Sequence, residues 1–293
     1  MRVVIEFQAI RMIKKSKLGY SLIFQCGKIT GHRVNFTLAR CIDDRSIGVF
    51  LTIRWKYPLK RCLYRQSPLK ILSLNNIDIQ MPATKMIVIR HGETTWNLDG
   101  KYQGHADSPL TKRGLAQAHA VGKRMKKLPF DVLYSSDLTR AHRTAQCIAT
   151  ETARDIVLDL RLRERNLGIF QGMCREEFIV KYPEIYAQYQ ADLLHYVIPQ
   201  GESIQQCYQR CIGCFEEIAQ HHAGQTVVAV THGGILANLL KHTFQIPLES
   251  PRNFHVWNAS LNIFSYDRGQ WSLERWGDCC HEEKFEHEGG ADF

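Results

Sequence analysis

Residues 86–97 read MIVIRHGETTWN, a run of four apolar residues that stops on Arg90, His91 and Gly92. A short continuous apolar run closed by a turn-forming glycine is the pattern of a strand buried on both faces of a parallel sheet. Such a strand has no structural need to end on an arginine and a histidine, and no metal-ligand spacing surrounds the histidine. The rest of the chain has to supply the reason.

Downstream, apolar strands alternate with amphipathic helices. The stretch SPLTKRGLAQAHAVGKRMKKL (108–128) predicts a helix capped by Thr111, with Leu115, Ala118, Gly122 and Met125 on its buried face. DVLYSS (131–136) reads as a second strand, the following segment from Asp137 as a helix capped by that residue, and DIVLD (155–159) as a third strand. After a loop from Arg161 to Gly172 and a mixed region to Pro199, a helix is expected over 202–222 and a β-branched strand over 226–232. A further helix follows from Gly234, and FHVWN (254–258) and LNIFSY (261–266) read as closing strands. This order predicts an α/β fold of three layers, an α/β/α sandwich around a mostly parallel central sheet. Cys207, Cys211 and Cys214 recur at helical spacing and are expected to form a buried helix face rather than a metal cluster.

Charge divides the chain differently. The formal net charge is +9, but residues 1–85 hold 16 Lys and Arg against 4 Asp and Glu, while residues 86–293 hold 22 against 25. The first part lacks a sustained period of 3.6 or 2, and its basic residues are not grouped on a face. Residues 1–80 are therefore expected to be a basic irregular extension outside the catalytic fold, with a transit segment or an anion-binding arm as the competing readings. The folded domain is expected over 81–281 and an acidic tail over 282–293. The ten cysteines are spread through a chain with no secretory signal and no apolar run long enough for a membrane span, which suggests reduced thiols and a cytoplasmic protein.

In parallel α/β sheets ligands gather at the carboxyl ends of the strands. Here four strand ends deliver Arg90 and His91, Arg140, Glu164, and His232 with Gly233. Arginine offers a charged planar fork that matches phosphate oxygens. Neutral imidazole attacks phosphorus well once its other nitrogen is held as a donor, and a carboxyl group can protonate a leaving oxygen. The set reads as a phosphate pocket needing no metal and no cofactor, with His91 as nucleophile and Glu164 as proton donor.

The stretches RHGETTWN, YQGHADSPLTKRG, YSSDLTRAHRTA, LRERNLGIFQG, PQGES and VTHGG follow one another in the order of the histidine phosphatase superfamily. Between Met86 and His281 the chain resembles its cofactor-dependent phosphoglycerate mutase-like branch. The resemblance implies that His91 is phosphorylated, that Arg90, Arg140 and His232 bind the phosphate, and that Glu164 is the proton donor. It implies further that Asn97, Gln103 and Gly104 line the phosphate site, with Thr94 and Gly233 as weaker candidates. Where mutases of the family carry a GWYD-like stretch, this chain has QGHADSPL and a short connection. A phosphatase of a small phosphorylated metabolite is therefore expected over a phosphoglycerate mutase or a catalytically silent phosphate binder. No nucleic acid or membrane partner is expected, and a homodimer is left open. Specificity is expected in 175–200, where Tyr182, Tyr186, Tyr189, His195 and Tyr196 could form a lid.

Overall fold

A computed structural model describes residues 82–281, together with the backbone of strands between Phe7 and Arg54. The chain divides into two units, Met1–Ile77 and Asp78–Phe293. In the first, strands Phe7–Ser16, Gly19–Cys26, Asn35–Asp43 and Ser46–Arg54 pair antiparallel in chain order. Over these strands the irregular path suggested by weak periodicity gives way to hairpin pairing, an order that no single strand's pattern carries. The expected role of residues 1–80 and the acidic tail 282–293 lie outside the described residues.

In the second unit the strands are β1 (Thr84–Arg90), β2 (Val132–Ser135), β3 (Ile156–Leu158), β4 (Thr226–Thr231), β5 (Leu261–Asp267) and β6 (Gln270–Asp278). They form one sheet in the order β6-β5-β1-β4-β2-β3. The four strands β1, β4, β2 and β3 are parallel, and β5 and β6 are added antiparallel at one edge. The helices are α1 (Thr95–Leu98), α2 (Lys112–Met125), α3 (Thr139–Thr152), α4 (Arg175–Lys181), α5 (Pro183–Ala191), α6 (Ile204–His221) and α7 (Gly233–Thr243).

Alternate residues of β1 face opposite layers, as the pleat requires. Met86 and Val88 pack with α6 and α7, while Ile87 and Ile89 pack with α2 and α3. This is the expected three-layer sandwich. Cys207, Cys211 and Cys214 lie in the α6 core face, and among the described residues no three His, Cys, Asp or Glu side chains are grouped to hold a metal ion. No helix among them is long and apolar enough to cross a membrane.

Three local expectations are corrected. Thr111 does cap α2, accepting from the Gly114 amide, but Leu115 is 47% exposed, and Gln117 and Val121 take its place inside. The three-residue step from Leu115 to Ala118 straddles the stripe edge, and burial follows the neighbouring α3. Asp137 does not cap α3: it pairs with Arg163, and the first amides of the helix donate to Asp107 from a distant loop. FHVWN is an irregular segment, and the final strand is instead Gln270–Asp278. That strand sits at the sheet edge, exposed enough that its charged and polar residues hide the β pattern.

Candidate active site

The site is built where β1 and β4 end side by side. The His91 amide donates to Thr231 O at 3.0 Å, which locks the two strand ends together. His91 is 3% exposed, and its Nδ1 lies 2.8 Å from the carbonyl of Gly92. A carbonyl only accepts, so Nδ1 carries the proton and Nε2 presents its lone pair. Burial, then the charges of Arg140 and Arg90, hold the imidazole well below its usual pKa of 6.5, so the neutral form persists.

His232 faces it, with the two rings 5.2 Å apart. Its Nε2 is 2.8 Å from Ser136 Oγ, while its Nδ1 is buried without a hydrogen-bond partner. Burial and the charge of Arg140 lower its pKa as well. The Arg90 guanidinium is anchored by Nη1 on Val256 O.

Arg140, in the first turn of α3, is 1% exposed. It donates to the carbonyls of Ala106 at 2.9 Å and Gly104 at 2.7 Å, and pairs with Asp107 at 2.9 Å. Burial lowers its pKa and Asp107 opposes the shift. Its Nε is buried without a partner. A buried guanidinium donor left open beside a neutral histidine suits an anion's oxygen.

Glu164 enters from the loop after β3. Its Oε1 accepts from the Arg165 amide and its Oε2 from the Gly234 amide, each at 2.8 Å. A Cβ on Gly234 would lie 3.1 Å from Glu164 Cδ and closer still to Oε1, so a side chain there must displace the carboxylate.

The other predicted residues divide. Arg90, His91, Asn97, Gln103, Gly104, Arg140, Glu164 and Gly233 line one cavity of about 620 Å³. His232 is fully buried, its ring 5.2 Å from that of His91, with Nδ1 left open. Thr94 is not on the wall; its hydroxyl accepts from the Asn97 amide as the cap of α1. Tyr186 and Tyr189 of the expected lid reach the cavity, Tyr182 and Tyr196 pack behind them, and His195 is exposed with its ring on Asp192. Sequence reasoning missed Asp107, Ser136 and Asn258, whose Nδ2 donates to His91 O at 3.0 Å. Asp107 and Ser136 sit inside the quoted motifs, and only their distance from the catalytic letters hid them.

Phosphoglycerate mutase-like protein 4 of Arabidopsis thaliana is 37% identical over 205 residues, covering 68% of this chain and 87% of its own. The metal-independent phosphoserine phosphatase of the same plant is 35% identical over 209 residues, covering 70% and 86%. Among solved structures, the α-ribazole phosphatase of Shigella flexneri superposes with a TM-score of 0.61 at 28% identity, over 66% of this chain and 96% of its own. The profile of the histidine phosphatase superfamily, branch 1, matches residues 86–279. A histidine just past the end of β1, facing a second just past the end of β4, lies inside a match of that extent, and the chain belongs to the histidine phosphatase superfamily.

Proposed function

We propose that the domain hydrolyses a small phosphorylated metabolite, a phosphomonoester, through a phosphohistidine on His91, with Glu164 as proton donor. The observation that carries the reading is the fixed tautomer of a buried, neutral His91 beside Arg90 and Arg140. The phosphatases among the relatives support it.

His91 Nε2 attacks phosphorus and the bond from phosphorus to the ester oxygen breaks. Glu164 in its acid form protonates that oxygen as the alcohol leaves. Arg90, Arg140 and His232 hold the equatorial oxygens, where charge spreads during transfer. A water molecule then attacks the phosphohistidine, Glu164 takes its proton, the bond from nitrogen to phosphorus breaks, and inorganic phosphate leaves. Gln103, 8% exposed, and Asn97 contribute to the wall of the phosphate site.

The test is a rapid-quench experiment with a radiolabelled phosphomonoester. An acid-labile, base-stable phosphoenzyme is expected in the wild type and not in His91→Ala, and unchanged turnover in that variant refutes the assignment. A substrate panel of 3-phosphoglycerate, phosphoserine, α-ribazole phosphate and fructose 2,6-bisphosphate, scored for both phosphate release and isomerisation, separates phosphatase from mutase.

A further inference from the structure

The PQGES stretch and Arg210 take no part in the chemistry above, yet they enclose the segment that carries Glu164. Arg210 projects from α6, and its Nη1 donates to the carbonyls of Arg161 at 2.7 Å and Arg163 at 2.9 Å. Its Nη2 donates to the carbonyl of Glu164 itself at 3.2 Å. The same guanidinium holds Glu202, with Nη2 on Oε1 at 2.5 Å and Nε on Oε2 at 3.2 Å.

Glu202 then returns to the loop. Its Oε1 accepts from the Asn166 amide at 2.8 Å, its carbonyl accepts from Arg165 Nε at 3.2 Å, and its amide donates to Asn166 O at 2.9 Å. The two loops interlock at their glycines: a Cβ on Gly201 would lie 2.6 Å from Asn166 O and 2.8 Å from the Gly168 amide nitrogen. His105 Nε2 also donates to Glu164 O, at 2.8 Å. The carbonyl of Glu164 is thus held by two side chains, whereas among the described residues its carboxylate accepts from two amides. A planar fork can serve three carbonyls and a carboxylate at once, which a point charge on a flexible stem cannot.

We infer that Arg210, braced by Glu202, is a positioning residue for the proton donor: it fixes the main chain of Glu164 so that the carboxyl group meets the leaving oxygen. The inference rests on Glu164 being the donor. A general acid matters for a poor leaving group and hardly at all for one that departs as a stable anion.

The experiment compares kcat/KM for an alkyl phosphomonoester with kcat/KM for 2,4-dinitrophenyl phosphate, on the same preparation of the full chain. The ratio of the two cancels any unfolded fraction. In Arg210→Lys and Arg210→Gln the ratio of alkyl to aryl activity is expected to fall about tenfold or more, and Glu164→Gln to lower it further, toward the full contribution of about 10²–10⁴ of a general acid. Equal losses on both substrates in the two Arg210 variants, with the ratio still falling in Glu164→Gln, overturn the inference and leave the donor assignment standing. An unchanged ratio in Glu164→Gln overturns the donor assignment and the inference with it.

Discussion

Replacing Gly234 by alanine separates catalysis from folding in a way the geometry makes quantitative. Gly234 is the second residue of α7, and its amide donates to Glu164 Oε2 at 2.8 Å. The new Cβ would stand 3.1 Å from Glu164 Cδ and 3.2 Å from Oε2, with Oε1 nearer than either. Ordinary contact requires about 3.5–4 Å, so the carboxylate must retreat by about 1 Å. A displacement of that size costs about 10²-fold in rate, or about 2.7 kcal/mol of transition-state stabilisation. The helix gains in the same exchange, because alanine is favoured over glycine by up to about 1 kcal/mol in a helix. The expected result is a melting temperature unchanged or slightly raised, with kcat/KM for an alkyl phosphomonoester about a hundredfold lower. Wild-type activity in a folded Gly234→Ala protein would show that the carboxylate has slack here, and that its position is not what the reaction depends on.

Other consequences are open to direct measurement. Asp107→Ala removes both the partner of Arg140 and the acceptor at the start of α3, and is expected to cost about 2 kcal/mol in urea unfolding, with a larger fractional loss of kcat/KM than of phosphate-independent stability. His91 and His232 stay neutral in the fold below the usual value of 6.5, whereas the unfolded chain takes up protons there. Their contribution to stability is therefore full above about 6.5 and is lost as the pH falls below it, these two alone steepening the slope toward two protons per molecule. Thermal unfolding followed from pH 7 downward checks this, and a flat profile would contradict the burial of neutral imidazoles. Turnover is expected to persist after exhaustive dialysis against a chelator, and a restored rate on adding a divalent cation would contradict a mechanism run by His91 and the arginines alone.

The parts of this molecule that a sequence displays are those decided locally. The runs MIVI and TVVAVT are buried on both faces, so nothing interrupts their apolar letters, and the strands they form are where the pattern puts them. The reactive residues follow at strand ends because parallel topology gathers those ends, which is why Arg90, His91, Glu164 and His232 could be grouped before any coordinates. What the sequence conceals is the long-range pairing. Asp107 serves α3 from 32 positions away from Thr139, in place of the adjacent Asp137, which is taken by Arg163. Arg210 reaches Glu164 across 46 positions, and Asn258 reaches His91 across 167. FHVWN has the composition of a strand, but the side of β1 next to it is already taken by β5. Thr94 illustrates the converse: a residue inside a catalytic motif whose hydroxyl is spent on closing a helix.

The proton on His91 Nδ1 rests on the carbonyl of the very next residue rather than on a carboxylate. A carboxylate in that place would draw the proton toward itself and make the opposite nitrogen more basic. The peptide oxygen orients the ring without enriching it, and two guanidinium groups depress its basicity further. A less basic imidazole forms a weaker bond to phosphorus and departs from it more readily. On the phosphohistidine route, then, the choice of a neutral partner shifts the balance of the cycle toward its second half. On the proposed route, the contact that aims the nucleophile would also shorten the life of the phosphohistidine.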